Sequence, residues 1–391
     1  MTSECKWTAS GLASAVLLSL SVISGDAQEV VEIDDPVTCS TCVIETGPSV
    51  TLAPPKDQVW FRSVPMPSVA RDRAGNYIVG PVVGDELIAV FGADATYRSS
   101  FGRTGEGPGE FPEYTMWLHI EVGEGDTLFV IAYPNVLHTL APRAERSLDQ
   151  VRLPFSIRDA VVLKGGTIAV QGNVRTEAGI TTIQTLRPDG TIESSLAASE
   201  ADEEDWEKWK NRPENRSGVR WDVRRVFGRS NDRLDIWSAH LNRYRISRYG
   251  VDGTEKTRIE RIAKWFLSYT FRSPGAPTRA PTEPIVSDVH QDGDGLLWVA
   301  IQRAPASFTP IPDSPPGVEA PMDQFRDMNQ FLHTTIEVID PVAGELVARR
   351  EFDEFVNLVR TPGDDVFIYS FRPDALGDVD CTIRLLKLRR E

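Results

Sequence analysis

The sequence predicts an all-β chain, folded as a six-bladed β-propeller of four-stranded antiparallel blades with short helical and Pro-rich insertions. Three observations predict it. From about Val50 onward, short alternating or continuous apolar runs are separated by Gly, Pro, Asn and Asp, with almost no sustained helical period. A turn rich in Gly and Asp that runs straight into a short apolar strand recurs along the chain. Each copy is followed by a second strand pair with its own turn.

The best-preserved turn is Asp292-Gly-Asp-Gly-Leu-Leu-Trp-Val-Ala300. Across the copies, the residues just before the strand are Asn76, Asp126, Gly166, Arg233, Gly295 and Asp365. Propeller blades recur at about 40–50 residues, so the longer intervals here hold insertions. The second strand pairs turn at Gly92-Ala-Asp94, Pro188-Asp-Gly190, Val251-Asp-Gly253 and Asp340-Pro-Val-Ala-Gly344. Asp-Gly between alternating strands is a strong hairpin signal. A hairpin followed by a hairpin makes a four-stranded meander, which is one blade.

A ring must close, because an open array leaves unpaired edge strands. The last blade, ending in Cys381-Thr-Ile-Arg-Leu-Leu-Lys-Leu388, lacks a return strand. The segment near Val50-Thr-Leu52 or Val59-Trp-Phe61 is expected to supply it. The organisation read from sequence is a signal peptide over 1–27, a Cys-bearing segment over 28–58 and the propeller over 59–391.

The signal peptide rests on Lys6, the uncharged apolar run Gly11 to Ile23 and the small residues Gly25-Asp-Ala27, with cleavage after Ala27. The run is too short for a stable bilayer anchor, and no later stretch is apolar enough to span one. The alternative is a buried helix of a cytosolic domain. The expected location is therefore periplasmic or extracellular, without a membrane span. A net charge of −15 repels phosphate backbones and anionic lipid, so nucleic acid is not an expected partner.

Cys5 leaves with the signal, and Cys39, Cys42 and Cys381 remain. A C-x-x-C pair in an exported chain can be a local disulfide, a redox pair or half of a metal site. No second C-x-x-C or paired His supports the metal reading, and the flanking residues read as extended, not as a redox helix. A structural disulfide fits best, either Cys39 to Cys42 or one of them to Cys381.

The stretch Phe101-Gly-Arg-Thr-Gly-Glu-Gly-Pro-Gly-Glu-Phe-Pro112 resembles the linker that NHL-type six-bladed propellers place before a blade's innermost strand. Asp292 to Val299 is similar to the inner hairpin of the same repeats. Leu163, Ser230 and Pro362 stand where that repeat has Asp. On physical grounds the linker glycines permit close backbone approach, and Phe111 can plug between blades. A phosphate-binding loop is not supported, because no Lys-Ser/Thr follows. The resemblance implies a fold and a place for the site. It does not imply a reaction, since some related families are channel-metal lactonases or amidating lyases.

In a propeller the innermost strands line the channel, here at about 67–72, 117–122, 157–163, 224–229, 286–291 and 354–361. Their polar residues are the candidate ligand contacts: His119, Glu121, Arg158, Asp159, Arg224, Asp288, His290 and Asn357, with Arg225 and Arg360 beside them. His119, Asp159 and Asp288 are the set that could hold a divalent metal and polarise a substrate. Alternatively, all these side chains merely solvate a water-filled channel. His138, His240 and His333 receive no role, and no G-x-S-x-G or H-E-x-x-H signature is present.

Three insertions interrupt the repeat. Residues 197–222 read as a short helix capped by Ser199, with Trp206 and Trp209 on one face, and include the sequon Asn215-Arg-Ser217. Residues 304–333 are Pro-rich, then helical from Pro321 to Phe331, and Ser273 to Pro284 is a third Pro-rich link. The expected function is an exported, monomeric binding module for a protein, peptide or glycan at the channel mouth, without a cofactor. The alternatives are a metal-dependent hydrolase or lyase working in the channel, and a structural envelope protein.

Overall fold

A computed structural model describes residues 29–54, 67–82, 86–105, 107, 109–112, 118–132, 135–144, 146–176, 179–198, 224–266, 281–310, 327–373 and 379–390. Two strands come first, β1 (Glu29–Ile33) and β2 (Cys42–Leu52). Blade 1 is β3 (Ser68–Arg71), β4 (Tyr77–Gly80), β5 (Glu86–Phe91) and β6 (Tyr97–Arg103). Blade 2 is β7 (Leu118–Val122), β8 (Leu128–Ala132), β9 (Val136–Leu140) and β10 (Ser147–Arg152). Blade 3 is β11 (Ala160–Val162), β12 (Ile168–Thr176), β13 (Gly179–Leu186) and β14 (Ile192–Ala198). Blade 4 is β15 (Arg225–Arg229), β16 (Asp235–His240), β17 (Arg245–Gly250) and β18 (Glu255–Arg261). Blade 5 is β19 (Ile285–Gln291), β20 (Leu297–Arg303), β21 (His333–Asp340) and β22 (Glu345–Phe352). Blade 6 is β23 (Asn357–Leu358), β24 (Val366–Pro373) and β25 (Val379–Arg390), completed by β2.

The chain is thus a six-bladed propeller of antiparallel meanders. Each blade is apolar on both faces, because it packs between two neighbours. The buried apolar side chains sort accordingly into clusters that straddle neighbouring blades. Val79 and Phe91 of blade 1 meet Tyr369 and Ile383 of blade 6. Ile78 and Ile88 of blade 1 meet Ile120 and Val130 of blade 2. The pattern continues through blades 2 and 3, 3 and 4, 4 and 5, and 5 and 6. Full burial of a side chain of this size contributes roughly 1.5–3 kcal/mol, and Trp237, Trp298 and Phe111 are among the largest fully buried.

The recurring turn joins the first and second strand of each blade. In blade 5, Asp292 Oδ1 accepts from the backbone N–H of Asp294 and Leu296, at 3.0 and 2.9 Å. Its Oδ2 accepts from Trp298 Nε1 at 2.7 Å. Gly295 sits at φ +84°, a conformation that side chains disfavour. Asp292 and Gly295 are turn formers here, and Trp298 is blade packing. In the Gly-rich linker, Phe111 is fully buried between blades 1 and 2 and stacks on the His138 ring at 4.2 Å between centroids. A Cβ on Gly102 would lie 2.3 Å from that Phe111 ring.

Strand β2 pairs antiparallel with β25, from Cys42↔Arg390 to Leu52↔Cys381. Val50-Thr-Leu52 therefore supplies the missing return strand; Val59-Trp-Phe61 lies outside the described residues. Strand β2, within the segment 28–58, is thus the fourth strand of blade 6. The segment's other strand, β1, adds in parallel to the outer edge of blade 4, pairing with β18. Between them the chain crosses the outer edge of blade 5. Thr38 N–H donates to Leu346 O at 2.8 Å, and Asp35 binds Arg261 at 2.9 Å and also Arg349. Arg261 in turn meets Glu337 at 3.2 Å, and Tyr244 Oη donates to Glu337 at 2.6 Å.

Cys39 and Cys42 are joined by a disulfide, and Cys381 is a buried free thiol. The alternative link to Cys381 is corrected by register. Cys42 and Cys381 occupy opposite ends of the β2–β25 pair, about 30 Å apart at strand rise. The signal segment 1–27, Trp206, Trp209, Ser199, the Asn215 sequon and most of the Pro-rich links lie outside the described residues. Of the expected helix from Pro321 to Phe331, the described part is one short helical turn, Met328–Gln330. Its apolar residues pack with Phe308 and Phe355.

Candidate functional site

The innermost strands start at one end of the channel, and their first residues surround a cavity of ≈520 Å³. All six blades contribute: Ser68, His119, Asp159, Arg225 and Asn357 each stand at or next to the start of their blade's first strand, and Asp288 stands at the middle of β19. Described residues that flank two of the insertions lie at this end. Arg224, which follows one insertion, lines the cavity. Gln302, just before another, pairs with Ile285 at the start of β19.

The cavity floor is organised by Arg360, which follows β23. Its backbone is held by blade 1: Arg360 N–H donates to Val69 O at 3.0 Å, and Arg71 N–H donates to Arg360 O at 2.7 Å. Its guanidinium reaches Asp288 at 3.0 Å, Asp159 at 3.3 Å and Glu121 at 3.6 Å, and donates to Phe227 O. Asp159 is oriented from below, since its Oδ2 accepts from Phe227 N–H at 2.6 Å. Asp288 Oδ1 accepts from Val289 N–H at 2.8 Å. Asp159 is thus held by the neighbouring strand β15, and Asp288 by the backbone of its own strand.

His119 completes the cluster. Its Nε2 donates to Ala160 O at 2.8 Å and lies 3.3 Å from Glu121 Oε1. Its Nδ1 lies 3.2 Å from Asp159 Oδ1. Every partner is an acceptor, so both ring nitrogens act as donors, which is the imidazolium form. Burial opposes that charge, but Asp159 and Glu121 outweigh it and raise the His119 pKa. For Glu121, burial is likewise outweighed, by the His119 hydrogen bond and then Arg360, and its pKa is lowered. At Asp288 burial wins over Arg360, with Asp159 adding repulsion, and the pKa is raised to about 7. Burial works against the Arg360 charge, yet Asp288, Asp159 and Glu121 hold the guanidinium firmly ionised.

A second, narrower layer lies beneath, lined by Glu121, Arg229, Asp288 and His290. Burial, then Arg229 and Arg360, lowers the His290 pKa to about 3. Arg229 itself is lowered to about 10 by burial, against the pull of Glu121.

The candidate residues therefore fall into two layers. His119, Arg158, Asp159, Arg224, Asp288 and Asn357 line the cavity, as do Arg225 and Arg360. Glu121 and His290 lie in the layer below. Sequence reasoning missed Tyr369, which lines the cavity from β24, a second strand. Its hydroxyl donates to Pro67 O at 3.1 Å, and burial followed by Asp288 raises its pKa. Gln302, on β20, was also missed; its Nε2 donates to Asn357 Oδ1 at 2.9 Å. An alternation count on the second strands was the available signal.

His119, Asp159 and Asp288 do converge, but around a guanidinium. A divalent cation among these carboxylates would have to displace Arg360. Among the described residues no group of three or more His, Cys, Asp and Glu is arranged to hold a metal ion. Arg360 thus stands among the three residues named as the possible metal set.

No family model and no curated protein matches the chain. Solved structures do. A member of the DUF4221 family from Bacteroides vulgatus aligns over 90% of this chain and 99% of its own, with a TM-score of 0.57 and 8% identity. A Bacteroides fragilis protein named as exported aligns over 92% of this chain and 99% of its own, with a TM-score of 0.53 and 10% identity. At such identities the likeness is one of fold. The NHL-type resemblance stays one of blade architecture.

Proposed function

We propose that this chain is an exported binding module that holds its ligand in the cavity at the mouth of the propeller channel. One observation carries the reading. All six blades direct side chains into a single cavity of ≈520 Å³, a size suited to a small molecule or the end of a larger ligand. The floor is already neutralised internally by Arg360 and His119, so it forms a fixed surface for a guest. Export is supported by the apolar run Gly11 to Ile23 and by the Cys39–Cys42 disulfide. A protein or glycan partner would present only a side chain, a terminus or a single sugar to this cavity.

Ser287 tests the reading. It lines the cavity, and Trp in its place fills space without replacing a charged residue of the cluster. Peptide and glycan arrays and a small-molecule set are probed with wild type and with Ser287→Trp. Ligands captured by wild type and lost by the folded variant support the cavity. Identical capture by both would move the binding function elsewhere on the molecule.

A further inference from the structure

The cavity is an aliphatic collar with one polar gap. Val69 of blade 1, Leu118 and Ile131 of blade 2, Ile157 just ahead of β11, Val226 of blade 4 and Leu358 of blade 6 all line it. Blade 5 brings Ser287 and Asp288 to the lining and, among the described residues, no apolar side chain. Apolar walls on so many sides favour a guest that hides apolar surface from water, and a few polar groups then fix its orientation.

The charged groups of the lining are already engaged. Arg360 meets Asp288 and Asp159, and His119 has Asp159 and Ala160 O. Arg225 Nη1 donates to Ser238 Oγ at 3.4 Å, with the Glu255 charge nearby, and Arg158 and Arg224 each have interactions of their own. A guest with a net charge would therefore lose its hydration without gaining an unmatched counter-charge.

One atom of the floor stands apart. Asp288 Oδ1 accepts from Val289 N–H at 2.8 Å and faces Arg360 at 3.0 Å. Among the described residues, Oδ2 of the same carboxyl has no hydrogen-bond partner, although Asp288 is only 5% exposed. A buried oxygen in that position favours a guest that can hydrogen-bond to it.

We infer, resting on the cavity as the binding site, that its ligand is a neutral small molecule with an apolar body and a terminal hydroxyl. The hydroxyl meets Asp288 Oδ2 at the blade 5 gap, and the body lies against the aliphatic collar. A hydroxyl suits that oxygen whether or not the carboxyl carries a proton, because it both donates and accepts. An ether of the same shape keeps the body and loses the donor. An acid or an amine adds a charge for which the lining holds no spare partner.

The test is calorimetry on the full chain at about pH 8, above the Asp288 value of about 7, where the carboxylate can only accept. The probes are 1-octanol and 4-phenylbutan-1-ol, each beside its methyl ether, its carboxylic acid and its amine. At least one alcohol is expected to bind roughly tenfold or more tighter than its ether, the scale of one hydrogen bond to a charged group, and tighter than its acid and amine. In Asp288→Ala the ratio of alcohol to ether affinity should fall to about one. Should that variant fold poorly, the wild-type ratio decides alone. Equal binding of alcohol and ether, tighter binding of an acid or amine, a ratio that survives Asp288→Ala, or no binding of either alcohol overturns the inference. If the probes bind without the expected ranking and Ser287→Trp abolishes it, the cavity reading survives and the hydroxyl assignment falls. If binding is unaffected by Ser287→Trp, the cavity reading itself has failed.

Discussion

The guanidinium of Arg360 lies 3.3 Å from the carboxylate of Asp159, although the two residues belong to blades 6 and 3, which face one another across the ring. The channel is therefore bridged at its centre by a charged contact and not lined by six independent strands. Its consequences can be measured.

Replacing Arg360 by Met should cost about 3–5 kcal/mol, because it strands buried carboxylates without their counter-charge. Denaturant unfolding reads this directly. A loss below about 1 kcal/mol, the scale of an exposed ion pair, would mean the bridge contributes little to stability.

The same variant leaves Glu121, Asp159, Asp288 and His119 around a vacated centre. Manganese or zinc should then raise its melting temperature while leaving wild type unchanged. A wild-type protein that gains stability from either ion would reinstate the channel metal.

Asp288 makes stability depend on pH in an identifiable window. Its pKa is 3.8 in the ordinary state and about 7 in the fold. Between these values the folded chain keeps a proton that the unfolded chain has lost, so stability falls as pH rises through the window. The difference accumulates to about 4 kcal/mol at most. Asp288→Asn cannot titrate, so wild type should lose stability relative to it from pH 4 to 7. Parallel pH profiles for the two proteins would remove Asp288 as the source.

The histidines should titrate in a set order. His119 stays charged above its ordinary value of 6.5, held by Asp159 and Glu121 against burial, and its stabilisation is lost as pH rises through that raised value. Burial keeps His138 neutral down to about pH 4, and burial with Arg229 and Arg360 keeps His290 neutral to about pH 3. Imidazole resonances followed by NMR give all three. His119 titrating below 6.5 would contradict the cluster geometry.

Ring closure can be probed at Ile44, which is 1% exposed between blades 5 and 6. Ile44→Ala should cost about 2–5 kcal/mol. Cys381, on the strand that pairs with β2, is fully buried, and burial pushes its thiol far up. A thiol reagent should label it only when this blade opens, and faster in the Ile44 variant. Rapid labelling of native wild type would show that the closing strand frays on its own.

The blades were legible because their signals are local. A turn such as Asp292 to Gly295 and the strand it feeds lie within a few residues, so periodicity suffices. The innermost strands could be placed for the same reason; the one expected at about 224–229 is Arg225–Arg229. Long-range pairing was not legible in that way. Nothing near Glu29 indicates that it meets Thr257, and Cys42 could not be assigned to Cys39 or Cys381 without the β2 register. The site was legible as a set of side chains facing one channel. That Arg360 sits among the carboxylates was not, because it depends on how six strand ends from distant parts of the chain converge.

The belt formed by β1, the stretch through Asp35 and Thr38, and β2 has a consequence for the order of assembly. Glu45 and Arg389 are bound to each other across 344 positions of chain. Blades 1 to 3 can pack on one another while the rest of the polypeptide is still being made. Blade 6 cannot be completed until residue 390 is free, and only then can β2 be claimed by its partner. Until that moment an N-terminal strand and a sheet edge are both unsatisfied, and each could pair with a neighbouring molecule. Crowded or incomplete synthesis should therefore produce molecules joined through an exchanged β2, not a randomly collapsed chain.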